Sequence, residues 1–165
     1  MGDTMARESA PGSESAKNKE IVMRFYEDVF INHDLSRLDD YMRDDYIQHN
    51  PDCPQGKAGF VEFFTTIFRA VPDFRYTLHK MVAEGDIVMA YSTTTGTHTG
   101  GVWLGQEPTG AKLNFKVVDI FRVQDGKIAE HWDVADTFSL FSQLGIAERL
   151  VKQGLTTPGP QGGSV

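Results

Sequence analysis

Apolar positions along the first half of the chain follow a helical period. Ile21, Val22, Phe25, Tyr26, Val29 and Phe30 recur at the spacings of one helix face. A shorter helix is expected next, with Asp34 as its N-cap and Leu35, Leu38, Tyr41 and Met42 as its apolar stripe. A third carries Phe60, Phe63, Phe64, Ile67, Phe68 and Val71, and Pro72 ends it because proline disfavours helix in the residue before it. Three helices are thus expected before any strand. From Phe74 the pattern alternates, first through Phe74, Tyr76 and Leu78, then from Ile87 to about Thr97, with a turn at Glu84-Gly85-Asp86. Gly100–Gly110 reads as a loop. Leu113–Val123 and Lys127–Val134 read as two strands around Gln124-Asp125-Gly126, and Asp136–Leu144 as a closing helix that ends at Gly145 and lays Phe138, Leu140, Phe141 and Leu144 across the sheet. Helices followed by an antiparallel sheet make the expected class α+β.

The ends change composition. Residues 1–16 are rich in Ser, Glu, Gly and Ala and read as a disordered leader; residues 151–165, rich in Gly and Pro, read as a flexible tail. This leaves one domain over 17–150 of the 165 residues. Sixteen basic against 23 acidic residues give a net charge of −7 and a pI near 5.1, which argues against nucleic acid and anionic membrane as partners. The lone cysteine, Cys53, excludes an internal disulfide and a multi-cysteine zinc site. No apolar run has the length of a membrane span or the form of a signal peptide, so a cytoplasmic location is expected.

Phosphate-binding glycine motifs, a serine-hydrolase elbow and a zinc-protease His pair are all missing, so no cofactor and no metal is expected. The chemistry then falls to titratable residues among aromatics. These are His49 in Tyr46-Ile47-Gln48-His49-Asn50-Pro51, His98 in Gly96-Thr97-His98-Thr99-Gly100, Asp119 inside an apolar strand, and His131 and Asp133 in Glu130-His131-Trp132-Asp133. Asp119 stands out. Val117, Val118, Ile120 and Phe121 surround it, and an unpaired carboxylate there is costly to desolvate. It is either a hydrogen-bonded structural aspartate or a carboxyl whose burial suits it to proton transfer. The plainer readings of the histidines are also open: His49 closes a turn, His98 binds a loop backbone, and His33 and His79 are structural or exposed. Tyr26, Trp103 and Phe121 are candidates to line an apolar ligand cavity together with His98 and His131.

Hairpin register decides whether the carboxylates meet. A two-residue turn on Asp125-Gly126 pairs Val123 with Ile128, sets Asp119 opposite Trp132 and sends Asp133 to the other face. A three-residue loop with Gly126 left-handed pairs Val123 with Lys127 and sets Asp119 opposite His131. Asp119, His131 and Asp133 then share a face, and Ile120, Ile128 and Trp132 point the other way. The three-residue loop is the expectation here.

Taken together, Tyr46–Pro51, Gly96–Gly100, Pro108-Thr109-Gly110, Asp119–Ile128 and Glu130–Val134 resemble the SnoaL-like polyketide cyclases of the NTF2-like superfamily over about residues 17–145. The resemblance implies a cone-shaped α+β barrel with N-terminal helices packed on a curved antiparallel sheet around a deep pocket. It also implies a homodimer through the outer sheet face, where Ile120, Ile128 and Trp132 are expected. In the family's cyclases an aspartate of the last strand is the general acid/base of an intramolecular aldol closure, and by motif it matches Asp133. A histidine on the preceding strand assists it, and here that position is Asp119, a departure from the pattern. The expected function is therefore a cyclase or isomerase acting without a cofactor on a hydrophobic, carbonyl-bearing small molecule. Asp133 removes a proton, and protonated Asp119 or His49 donates to the oxyanion. A non-catalytic ligand-binding module, and a dehydratase or epoxide hydrolase using the same carboxylates, are the alternatives.

Overall fold

A computed structural model describes residues 12–154. Most of the expected leader and tail lies outside them; within them, the first helix has begun at Glu14 and the last ends at Lys152. Helix α1 (Glu14–Phe25), capped by Ser13, continues into a wider π-type segment, Tyr26–Ile31. Phe25, Tyr26, Val29 and Phe30 all turn into the core there. Asp34 caps a short 3-10 turn, Leu35–Arg37, which runs into α2 (Leu38–Tyr41). Helix α3 spans Gly56–Ala70 and stops before Pro72, as the sequence predicts.

A strand intervenes where only helices are expected. Strand β1 (Met42–Gln48) precedes α3. Its buried positions are Met42, Tyr46 and the polar Gln48, while Arg43, Asp44 and Asp45 between them are charged, so no apolar alternation shows in the sequence. It pairs in parallel with the last strand, so the sheet is mixed rather than antiparallel. The other strands are β2 (Arg75–Glu84), β3 (Ile87–Thr97), β4 (Lys112–Gln124) and β5 (Lys127–Ala135). Their order, β1-β5-β4-β3-β2, is open at both edges; helices, not further strands, complete the cone. Helix α4 (Thr137–Gln143) follows β5 and buries Leu140, and Gly145 at φ 73° separates it from α5 (Ile146–Lys152). Phe138 departs from expectation: it is 76% exposed rather than packed on the sheet.

The β4–β5 hairpin follows neither expected register. The turn has two residues, Asp125 and Gly126, at φ 52° and 76°, as a primed turn requires. Val123 therefore faces Ile128. By the next pair, Arg122 opposite Glu130, β5 has accommodated one extra residue, Ala129, in a bulge. The insertion shifts every later pair by one, so Asp119 lies opposite Asp133 and Phe121 opposite His131. The carboxylates end on one face through a bulge instead of a three-residue loop. Ile128, ahead of the bulge, faces inward and is fully buried, which removes it from the expected outer patch.

Candidate active site

The inner sheet face, α3, α4 and the loop residues Trp103 and Leu104 enclose a cavity of about 520 Å³, within the range of small-molecule sites. Phe63, Phe64, Phe74, Phe115 and Phe141 supply much of its wall. Among its polar lining residues, Gln48, Asn50, Asp119, His131 and Asp133 come together in one cluster.

The two carboxylates there differ in their partners. Asp119 is buried, with one oxygen accepting from the Tyr26 hydroxyl and the other 3.0 Å from His131 Nε2. Burial, then the Asp119 charge, holds the Tyr26 phenol well above its usual pKa, so Tyr26 remains the donor. His131 is stacked on Phe121 at 4.8 Å and meets the Gln48 side chain at Nδ1. Asp133 has no comparable support: its Oδ1 is buried without a hydrogen-bond partner. Desolvation is the largest influence on Asp133 and raises its pKa; a charged His131 would oppose this, the Asn50 amide opposes it, and the Asp119 charge adds to it. One carboxylate is thus committed to structure; the other lines the cavity and has one buried oxygen without a partner.

The remaining predicted residues divide. His131 and Trp103 line the cavity. Tyr26 and Phe121 lie behind its wall, buried beneath Asp119 and His131. His49 does not reach the cavity. The strand alternation that points Gln48 inward points His49 outward, where its ring stacks on Trp132 at 4.3 Å and its Nε2 meets Glu130 at 2.8 Å. It cannot donate to an oxyanion inside. Asp119 is also unsuited to that role, because both its oxygens already face donors. His98 is a loop anchor: fully buried, with Nε2 2.8 Å from the Gly101 carbonyl and Nδ1 beside the Thr109 hydroxyl. Next to it, the Gly100 amide donates to the Ala70 carbonyl at 2.9 Å, and a Cβ there would sit 1.9 Å from the Arg69 carbonyl oxygen, so only glycine fits.

Gln48, Asn50 and Tyr76 are site residues that sequence reasoning passed over. The available signal was period two through Tyr46 and Gln48 inside the quoted Tyr46–Pro51 run. Among the described residues, no group of three His, Cys, Asp or Glu side chains converges as metal ligands, and no helix is long and apolar enough to cross a membrane.

The family model of SnoaL-like polyketide cyclases matches residues 20–144. The aklanonic acid methyl ester cyclase DauD of Streptomyces sp. (strain C5) is 28% identical over 109 residues, covering 66% of this chain and 66% of DauD. DnrD of Streptomyces peucetius, with the same activity in its name, is 27% identical over 107 residues, covering 64% of this chain and 72% of its own. The solved structure of TsrD from Streptomyces laurentii superposes with a TM-score of 0.73 at 29% identity, covering 81% of this chain and 98% of TsrD.

Proposed function

Because the chain belongs to the SnoaL-like polyketide cyclase family, we propose that it closes a ring in a hydrophobic, carbonyl-bearing small molecule by an aldol-type reaction, with Asp133 as the base. The Asp133 carboxylate removes a proton next to one carbonyl. The resulting enolate carbon attacks a second carbonyl of the same molecule, forming a carbon–carbon bond, and the new alkoxide takes up the proton that Asp133 acquired. Asp133 returns to a carboxylate and the product has the mass of the substrate. The observation that carries this reading is Asp133 on the wall of an aromatic-lined cavity, with one buried oxygen lacking a partner, beside a second carboxylate whose acceptors are taken. Burial raises the proton affinity of Asp133 and so makes it a stronger base than a solvated aspartate. The oxyanion donor is Asn50: its Oδ1 is held by the Asp52 amide at 2.8 Å, which turns its Nδ2 towards Asp133 and the cavity.

Aklanonic acid methyl ester, on which the two curated relatives are named as acting, is the first substrate to try. Ring closure should yield a product of unchanged mass and altered retention, and substrate that is deprotonated and reprotonated without closing should exchange the same carbon-bound hydrogen in deuterium oxide. Asp133→Asn should abolish both signals. Tight binding of this and related polyketides without closure or exchange would support the ligand-binding alternative instead.

We also propose a homodimer through the outer sheet face. Val82, Met89 and Val134 are 56%, 41% and 68% exposed there, around the half-buried Ile120 and Trp132, an apolar surface that a second copy would cover. Light scattering should report twice the 18.4 kDa chain mass, and a monomer at micromolar concentration would refute it.

A further inference from the structure

The side chain of Gln48 is fixed in one orientation by a group that can only donate. The backbone N–H of Asn50 lies 3.0 Å from its Oε1, so that atom must be the carbonyl oxygen and the amide hydrogens must point the other way. One hydrogen goes to the Tyr46 hydroxyl at 3.0 Å and the other to His131 Nδ1 at 3.2 Å. A ring nitrogen facing an N–H must present its lone pair. The single ring proton of a neutral His131 therefore sits on Nε2, where Asp119 accepts it at 3.0 Å. The backbone of Gln48 is clamped as well, because the Gln55 side chain accepts from its N–H at 3.1 Å and donates to its carbonyl along the free edge of β1.

We propose that Gln48 is a positioning residue that holds His131 as the neutral Nε2–H tautomer, so that the buried Asp119–His131 pair presents a net negative charge to Asp133. This rests on the reading of Asp133 as the base and adds to it what sets the strength of that base. An imidazolium in the same place would stabilise the ionised form of Asp133 and weaken it as a proton acceptor. Other groups face the cluster from every side: Tyr26 from the helical layer, Tyr46 from β1, Asp52 and Cys53 from the segment after it, Glu62 from α3 and Tyr76 from β2. Burial raises all three phenols, and it pushes the Cys53 thiol up to about 11, so these four stay neutral at physiological pH. No cation from these elements takes over the role that a protonated His131 would have.

The test is nitrogen-15 NMR of the His131 ring between about pH 5 and 8, the range in which an ordinary histidine titrates, combined with carbon-13 titration of the Asp133 carboxyl. In the wild type, Nδ1 should stay unprotonated and Nε2 protonated at neutral pH. Gln48→Met keeps the volume but removes the donor. Its His131 should take up a second proton more readily, by about tenfold in affinity or more, and the Asp133 midpoint should fall. The acid limb of the pH–rate profile should move down with it. In Gln48→Glu, whose carboxylate accepts from both Asn50 and a protonated Nδ1, both ring nitrogens should carry protons at neutral pH. A proton on Nδ1 of the wild type at pH 7, or a Gln48→Met protein whose His131 and Asp133 titrate as in the wild type, would overturn the proposal. The ring readout needs no turnover, so retained activity in Asp133→Asn would defeat the catalytic reading while leaving the tautomer assignment to stand or fall separately.

Discussion

Replacing Asp133 with asparagine should cost activity and add stability, an opposition that few structural roles would produce. The substitution keeps the size of the side chain but removes proton acceptance and a negative charge. Loss of a general base lowers turnover by roughly a hundredfold to ten-thousandfold. For stability, Asp133 stands directly opposite Asp119 in the β4–β5 ladder, where side chains of facing residues start about 5 Å apart. The largest penalty on the Asp133 carboxylate is desolvation, and the repulsion from Asp119 adds less to it than the Asn50 hydrogen bond returns; removing the charge should therefore gain about 1 kcal/mol, or roughly 2–4 °C in melting temperature in a domain of this size. The gain carries a pH signature. The folded pKa of Asp133 is raised, so below the unfolded aspartate value of about 3.9 both states hold the proton and the penalty is absent. As the pH rises through the folded value, the wild type loses stability that the non-titrating asparagine variant keeps. Thermal melts of both proteins from about pH 3 to 8 should therefore diverge on the alkaline side, alongside the cyclisation assay. Near wild-type turnover, or a lower melting temperature for Asp133→Asn at neutral pH, would refute the reasoning.

Asp119→Asn should do the opposite to stability, because one acceptor position becomes an N–H facing a buried donor; a loss of about 2–3 kcal/mol is expected in chemical denaturation. His49→Ala should leave turnover within about twofold of the wild type, since its ring packs outside the sheet on Trp132, and a larger loss would show that the outer face communicates with the cavity. Leu104 occupies a left-handed conformation at φ 50° in the tight turn bridging Trp103 and Gln106, while its side chain lines the cavity. Leu104→Gly should relieve about 1 kcal/mol of backbone strain in a melt while weakening the binding of apolar ligands, and lost stability with unchanged binding would contradict this.

Local signals were sufficient for much of the chain. The stripe from Phe60 to Phe68 with Pro72 beyond it specified α3, the alternation after Phe74 specified β2 to β5, and Asp125-Gly126 specified a tight turn. Each of these rests on residues within a few positions of one another, and the conspicuous aspartate at 119 was legible for the same reason. The motifs carrying the family resemblance lay in the same stretches. Pairing across the chain was not legible. Strand β1 exists because β5 offers it a parallel edge some 80 residues away, and its charged outward positions mask its period. The bulge at Ala129 depends on which faces of β4 and β5 the core accepts, and its single residue decides that Asp133 points into the cavity. The division of labour between the carboxylates is likewise a tertiary fact. Asp119 is satisfied by Tyr26, 93 residues earlier, and by His131, whose proton is placed by Gln48, 83 residues before it; Asp133 is left with a buried oxygen without a partner because none of those donors reaches it. A sequence shows which groups are costly to bury, but the partners that offset that cost are brought together only by folding.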